Sequence, residues 1–279
     1  MPEFAEVNIH VRWLQSRLDG FTINRFESSG WNNFKELPDS DRATVPADFF
    51  EGNTIKSVTQ RGKQIIFHTT NGIVLSHLMF KGRWSLADDP FTSHYHHHSS
   101  RPTSNSRTVI LHGPSGTLGF HTPEYKAHLN IFPGEHDASA INNLSKLGPD
   151  VITTDESDDG FADPWSLEYF QNKAGRSKQA IKPFLLDQKK QAGLGNMYVC
   201  ESLYDAGIDP SRPANSLSTD EVNRLHEAAQ AIVQKAIDLE LDYDEILRVY
   251  KRSSDPDGHT VRKTTIGGRD TYWVPDVQS

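Results

Sequence analysis

The hydrophobic period of this 279-residue chain passes from that of strands to that of helices within residues 136–165, and that change constrains its fold more than any other feature. Upstream, from about 54 to 132, the pattern is that of strands: a β-rich run over Lys63–Thr70, an Asn71-Gly72 turn and a second run over Ile73–Phe80. Arg107–His112, a Gly113–Gly116 turn and Thr117–Thr122 repeat the arrangement. Asn-Gly between two such runs is the strongest short hairpin signal, because both turn positions need positive φ. Downstream, residues 165–172, 180–188, 196–206 and 218–238 read as helices, the last opened by a Ser218-x-x-Glu221 capping box. Residues 246–273 return to β-like character around Val249-Tyr250, His259–Thr264 and Thr271–Val274. At the other end, Phe4, Val7, Val11, Leu14 and Leu18 predict an amphipathic helix over 3–18, stopped by Gly20. Strands and helices so segregated predict an α+β protein: an antiparallel sheet or sandwich, then a helical domain.

Composition bounds the class. A hydrophobic content of 35% is compatible with a packed core, and no apolar run approaches the ~20 residues needed to span a bilayer. With no signal-peptide core at the amino terminus, a soluble intracellular protein is expected. The single cysteine, Cys200, excludes an intramolecular disulfide and any cysteine-based zinc finger. His94-Tyr95-His96-His97-His98 lies in a Ser/Pro/Asn-rich stretch with no spaced partner set, so it reads as a surface insertion. No cofactor and no metal are expected.

A net charge of −8 argues at first against nucleic acid, since neutralising phosphates demands Lys and Arg. The charges are unevenly placed, however. Residues 151–170 hold six acids and no base, whereas 171–200 hold six bases against Asp187 alone, and 246–273 hold six bases against three acids. Each basic block is either a solvated face or a phosphate-binding surface.

The amino terminus offers chemistry. Pro2 becomes a secondary amine once the initiator methionine is removed, and an α-amino group titrates near pH ~8, leaving a nucleophilic fraction at neutral pH. The plainer alternative is a proline at the first turn of a helix, where its missing N–H costs nothing. Glu3 and Glu6, three apart, would put two carboxylates on one face of that helix at its positive end.

Ile181-Lys182-Pro183 through Asp187-Gln188, then Gln191-Ala192-Gly193-Leu194-Gly195-Asn196-Met197-Tyr198, reads as two helices joined by a glycine-rich turn. Gly193 and Gly195 would let backbone N–H groups approach a ligand. Asn196 opens the second helix, where donors and dipole favour an anion.

At these residues the chain closely resembles the helix–two-turn–helix module of the formamidopyrimidine-DNA glycosylase/endonuclease VIII family. The resemblance extends to Met1-Pro2-Glu3 with Glu6-Val7, Arg61-Gly62-Lys63, His77-Leu78, Leu147-Gly148-Pro149-Asp150, Val249-Tyr250 and Gly267-Gly268-Arg269-Asp270-Thr271-Tyr272, in the family's order. It implies a bifunctional DNA glycosylase and abasic-site lyase of base excision repair, acting as a monomer on damaged DNA, cytoplasmic or nuclear according to its source. The implied fold is a two-layered antiparallel β-sandwich with the first helix over 1–135, an acidic linker over 136–165, the helix–two-turn–helix domain over 166–245 and a zinc-free hairpin finger over 246–279. Pro2 would attack C1′ of a flipped nucleotide and Glu3 would move protons, with Glu6 a further proton or supporting group. Lys63 would join the catalytic set, and Lys182, Asn196 and Arg269 would hold phosphates.

Two departures bear on specificity. Met79 or Phe80 stands where a void-filling residue is usual, but Thr122-Pro123-Glu124-Tyr125-Lys126 lacks the usual arginine. Only about ten residues separate the last long helix from Val249, too few for the loop that caps 8-oxoguanine in the purine-specific branch. Oxidised pyrimidines or ring-opened purines are therefore the expected substrates, in double-stranded, single-stranded or distorted DNA. The alternative is a catalytically weak DNA-structure binder on the same scaffold.

Overall fold

Val7, Val11, Leu14 and Leu18 recur at helical spacing and are buried along one side of α1 (Phe4–Leu18), which Gly20 ends with φ +68°. The computed structural model describes residues 2–29, 47–79, 82–86, 107–114, 116–122, 127–158, 160–161 and 165–279. The strands and short helix that follow are β1 (Arg25–Ser29), α2 (Ala47–Phe50), β2 (Ile55–Arg61), β3 (Gln64–Thr69), β4 (Gly72–His77), β5 (Arg83–Leu86), β6 (Arg107–Gly113), β7 (Gly116–Thr122) and β8 (His128–Pro133). They form two four-stranded antiparallel sheets, ordered β1-β6-β7-β5 and β2-β3-β4-β8. Ile65, Phe67 and Val74 of one sheet share a core with Trp84, Val109, Leu118 and Phe120 of the other and with the buried side of α1. The hairpin forms where the sequence predicts it, but its turn lies one residue earlier: Thr69 pairs with Gly72, so Thr70 and Asn71 make the turn, neither with positive φ, and Gly72 opens β4. Its second strand stops at His77 instead of Phe80, and Met79 takes φ 48°, which an extended strand cannot accommodate.

The helical part comprises α3 (Asn142–Ser145), α4 (Leu167–Gly175), α5 (Ile181–Leu186), α6 (Asn196–Asp205), α7 (Thr219–Asp238) and α8 (Tyr243–Ile246), followed by the hairpin β9 (Arg262–Ile266) and β10 (Arg269–Trp273). Helix α4 begins two residues later than its apolar pattern suggests, because Ser166 is the N-cap and its side chain accepts from Tyr169 N. The capping box at Ser218 and Glu221 is fully formed. The fold is α+β, a β-sheet domain followed by a helical domain. Among the described residues no helix is long and apolar enough to cross a membrane.

The chain divides into two compact units. The first holds Met1–Pro2, Glu6–Leu144 and Asp155–Gly160; the second holds Glu3–Ala5, Ser145–Thr154 and Phe161–Ser279. Part of the acidic stretch is thus built into the first unit. Gln60 N donates to Glu156 O at 2.7 Å, Asp158 N donates to Gln60 O at 3.0 Å, and Asp158 pairs with His68 at 2.9 Å.

Candidate active site

In the first unit, Lys63 sits in the turn between β2 and β3, where Gly62 takes φ +56°. The turn is fixed from beneath. Gln60, fully buried, donates Nε2–H to Gly62 O at 2.8 Å and accepts at Oε1 from Asn8 Nδ2 on α1 at 3.1 Å. Sequence reasoning passed over Asn8 and Gln60, whose only signal is polarity at positions that strand and helix periods assign to the interior.

Nearby on the same sheet, the rings of His77 and His128 stack at 5.2 Å with 2° between their planes, as β4–β8 register requires. His77 Nδ1 accepts from Met79 N at 3.2 Å, which in the neutral ring places the proton on Nε2. Burial, then the charges of His128 and Lys63, push the His77 pKa down to about 3, so the ring is a neutral donor at physiological pH. Pro2 is buried and Glu6, on α1, is 4% exposed. Met79 is half-buried against the core, whereas Phe80, Pro123–Lys126 and the His94–His98 tract lie outside the described residues.

The second unit corrects two expectations. Glu3 precedes α1, outside the helical turn it was expected to share with Glu6. Its carboxylate lies instead at the amino end of α6, accepting from Gly195 N at 2.9 Å, Met197 N at 2.8 Å and Tyr198 N at 3.1 Å. The donors that the glycine-rich turn was expected to offer a phosphate are therefore spent on an internal carboxylate. Gly195 is glycine for this reason, since a Cβ there would collide with the Glu3 carboxyl group. The opposite charge at the helix amino end is what four unpaired N–H groups and the dipole favour.

Gly195 is the N-cap and Asn196 the first helical residue. Asn196 donates Nδ2–H to Asp270 O at 2.9 Å, and its amide lies beside the Tyr250 hydroxyl, whose pKa burial pushes up. Lys182, on α5, is fully buried and donates to Asp270 O and to the Thr271 hydroxyl. Arg269 starts β10 and is exposed. Lys182, Asn196 and Arg269 thus meet at the hairpin.

Cys200, on α6, packs with Tyr204, Val249 and Val274, and burial pushes its thiol up to about 11. In the loop that precedes β9, the Asp255 carboxylate accepts from Asp257 N at 3.0 Å, His259 N at 2.8 Å, His259 Nδ1 at 2.9 Å and the Tyr204 hydroxyl at 3.0 Å. Asp255, Asp257 and His259 offer ligand atoms within 4.8 Å of one another, among the described residues, but Asp255 and His259 already bond each other. The acidic loop therefore closes on protein donors.

Two family models match: the formamidopyrimidine-DNA glycosylase N-terminal domain over residues 1–119 and the formamidopyrimidine-DNA glycosylase H2TH domain over residues 157–246. Formamidopyrimidine-DNA glycosylase of Brevibacillus brevis is 32% identical over 298 residues, covering 100% of this chain and 99% of that one. The Bacillus subtilis enzyme of the same name is 30% identical over 302 residues, with the same coverage. Among solved structures, Lactococcus lactis formamidopyrimidine-DNA glycosylase in complex with DNA containing N7-benzyl-Fapy-dG superimposes with a TM-score of 0.80 at 25% identity, covering 100% of both chains. The same enzyme non-covalently bound to DNA containing an AP site gives a TM-score of 0.80 at 24% identity over 99% of each chain. With matches that run from Met1 through both units, and with relatives above 30% identity along the whole length, the chain belongs to the formamidopyrimidine-DNA glycosylase family.

Proposed function

We propose that this chain is a bifunctional DNA glycosylase and abasic-site lyase of base excision repair, and that Pro2 is its nucleophile. The observation that carries the reading is the fixing of Glu3, Pro2's neighbour in the chain, by three backbone donors of α6. A carboxylate so held is set in place before substrate arrives, as proton transfer at a reacting centre demands.

The chemistry follows from the groups present. The Pro2 nitrogen, unprotonated, attacks C1′ of the damaged nucleotide as the glycosidic bond breaks; the leaving base takes a proton from water, and the Glu3 carboxylate takes the proton of the ammonium that Pro2 has become. Glu3 passes that proton to the ring oxygen as the C1′–O4′ bond opens, giving an iminium between Pro2 and C1′. Loss of a proton from C2′ then expels the 3′ phosphate, and a second elimination expels the 5′ phosphate. Access to C1′ requires the nucleotide to leave the stack, which costs a few kcal/mol and is easiest for a damaged base.

Residues 1–135 supply Pro2, Glu3, Glu6 and Lys63, and residues 166–245 supply Lys182 and Asn196. Residues 246–279 are a finger that does without zinc: its hairpin carries Arg269, and the contacts of Asp255 with His259 and Tyr204 close its loop. Lys63 and Arg269 hold phosphates on either side of the lesion. Such contacts fix register without reading sequence. Ring-opened purines and oxidised pyrimidines are the substrates, and the protein acts as a monomer.

Borohydride trapping tests this. Protein incubated with abasic DNA is expected to give a covalent product that Pro2→Gly sharply reduces and Glu3→Gln removes. Absence of a product from the unmodified protein, or trapping untouched by both substitutions, would overturn the mechanism. Salt-sensitive binding without nicking would mark a DNA-structure binder instead.

A further inference from the structure

Lys182 has no exposed surface, yet its ammonium donates to Asp270 O at 2.8 Å and to the Thr271 hydroxyl at 2.7 Å. Asn196 donates to the same carbonyl at 2.9 Å. Residues of α5 and α6 thus converge on one backbone oxygen of β10, next in the chain to exposed Arg269. Thr271 is 1% exposed, and the hairpin turn presses on α5 so closely that a Cβ on Gly267, at φ +60°, would meet Pro183 at 2.8 Å.

An ammonium has three donors, and two of these are committed to the hairpin. Removing a charge from water is costly unless it is bonded, so the contacts that hold it say what the residue does. An ammonium with no exposed surface, bonded to Asp270 O and the Thr271 hydroxyl of β10, is not open to the phosphate that Arg269 reaches from solvent. Burial also pushes the Lys182 pKa below the usual lysine range, consistent with a group withdrawn from water.

We propose that Lys182 is a positioning residue that acts on DNA through Arg269, clamping the Asp270–Thr271 backbone so that the hairpin presents the Arg269 guanidinium to phosphate. The proposal rests on the reading of the hairpin as a DNA-phosphate contact. It differs from a direct phosphate role for Lys182, because here the lysine's effect disappears when Arg269 is absent.

A double-mutant cycle on the full chain decides, read as affinity for a duplex carrying a tetrahydrofuran abasic analogue, whose capture needs no imine. Lys182→Met is expected to weaken binding about tenfold, the scale of a lost hydrogen bond to a charged group. In an Arg269→Ala background, the cost of Lys182→Met should fall below about twofold, as expected for residues acting in series. Thr271→Val, which removes the acceptor of the Lys182 bond together with the hydroxyl's own bond to Arg269 O but no charge, should weaken binding in the same direction, and Thr271→Ser should restore it.

A full Lys182→Met loss in the Arg269→Ala background, or a silent Thr271→Val, overturns the clamp. Should Lys182→Met fail to fold, the Thr271 pair with and without Arg269→Ala gives the same decision. An unmodified protein with no salt-sensitive DNA binding sinks the proposed function and this inference with it; failure confined to the cycle sinks this inference alone.

Discussion

The two units place their candidate DNA contacts by different physics. In the first, Lys63 stands on a hairpin turn whose position follows from strand register: Arg61 pairs with Gln64, and Gln64 pairs with His77. That sheet is held by apolar side chains that alternate across it, and its tolerance is the tolerance of a packed core. In the second, the key backbone segments are each gripped by a buried charged group: Glu3 holds the amino end of α6, Glu201 holds residues 248–250, Lys182 holds the hairpin and Asp255 holds its loop. A core keeps its shape through volume, whereas a charge keeps one backbone atom at one place. The difference teaches that hydrophobic repair should work in the first unit and fail in the second.

The largest expected effect breaks that contrast directly. Phe120, fully buried between the sheets, should cost about 3–5 kcal/mol as Phe120→Ala and under about 1.5 kcal/mol as Phe120→Leu, because leucine refills most of the volume. Glu201 is equally buried and accepts from Arg248 N at 2.9 Å, Val249 N at 3.1 Å and Tyr250 N at 2.7 Å. Burial pushes its carboxyl up while those donors pull it back. Glu201→Leu fills the space and leaves three N–H groups without an acceptor, so it should cost about 3 kcal/mol or more, with Glu201→Gln in between. Denaturant unfolding, with hydrogen exchange followed at residues 248–250, measures both pairs. A neutral Glu201→Leu would erase the distinction between the units.

A smaller effect sharpens the contrast through pH. The Asp255 carboxylate sits below its ordinary 3.8; burial works against this, and the bonds from His259 and Tyr204 outweigh it. The hydrogen bond and charge of Asp255 raise His259 above its ordinary 6.5. For the histidine, the stabilisation is complete below pH 6.5 and is lost as pH rises through its raised value. For the carboxylate it is complete above pH 3.8 and is lost as pH falls through its lowered value. The loop at 253–261 should therefore exchange its amides most slowly, after correction for intrinsic rates, between those values, and open as pH rises through the raised value of His259. His259→Ala should flatten the alkaline side of that profile. Core amides of the first unit, such as those of Ile66 and Leu75, should show no matching change. A loop profile indifferent to His259→Ala would remove the pair from the finger's stability.

What could be read from the sequence follows the same division. The β3–β4 hairpin, to within one residue of its turn, the capping box at Ser218 and the apolar face of α1 are local patterns, each decided within a few residues by turn composition, by a side chain reaching its own backbone, or by a period. Glu3 could be read only as an acid near a helix start, because its partners lie 192 and more positions away. Lys182 shows the same limit in a sharper form. A lysine in a basic block reads as a surface charge, and only the hairpin 88 residues further on reveals that it is buried. Asp255 and His259 are adjacent enough to notice, yet the Tyr204 hydroxyl that completes their knot comes from α6. Apolar periodicity reports burial of carbon, and it has no means of reporting a charge buried on a distant carbonyl.

The smallest effect lies where local signal and structure agree. The Ser218 side chain accepts from Glu221 N at 3.3 Å, and Glu221 accepts from Ser218 N at 2.7 Å while also pairing with Arg212. That pairing, the first cause of the shift, brings the Glu221 carboxyl down to about 2. Ser218→Ala should cost about 1 kcal/mol, the ordinary worth of an N-cap, because the rest of α7 is held by Leu225, Ala229, Val233 and Ala236 in the core. Ser218→Asp should recover most of it, since a carboxylate at the same position accepts the same N–H and suits the helix dipole. Arg212 limits the cost further by keeping Glu221 on its side of the box. A loss well beyond 2 kcal/mol for Ser218→Ala would mean that this helix start, like the amino end of α6, answers to a distant partner and not to its own sequence.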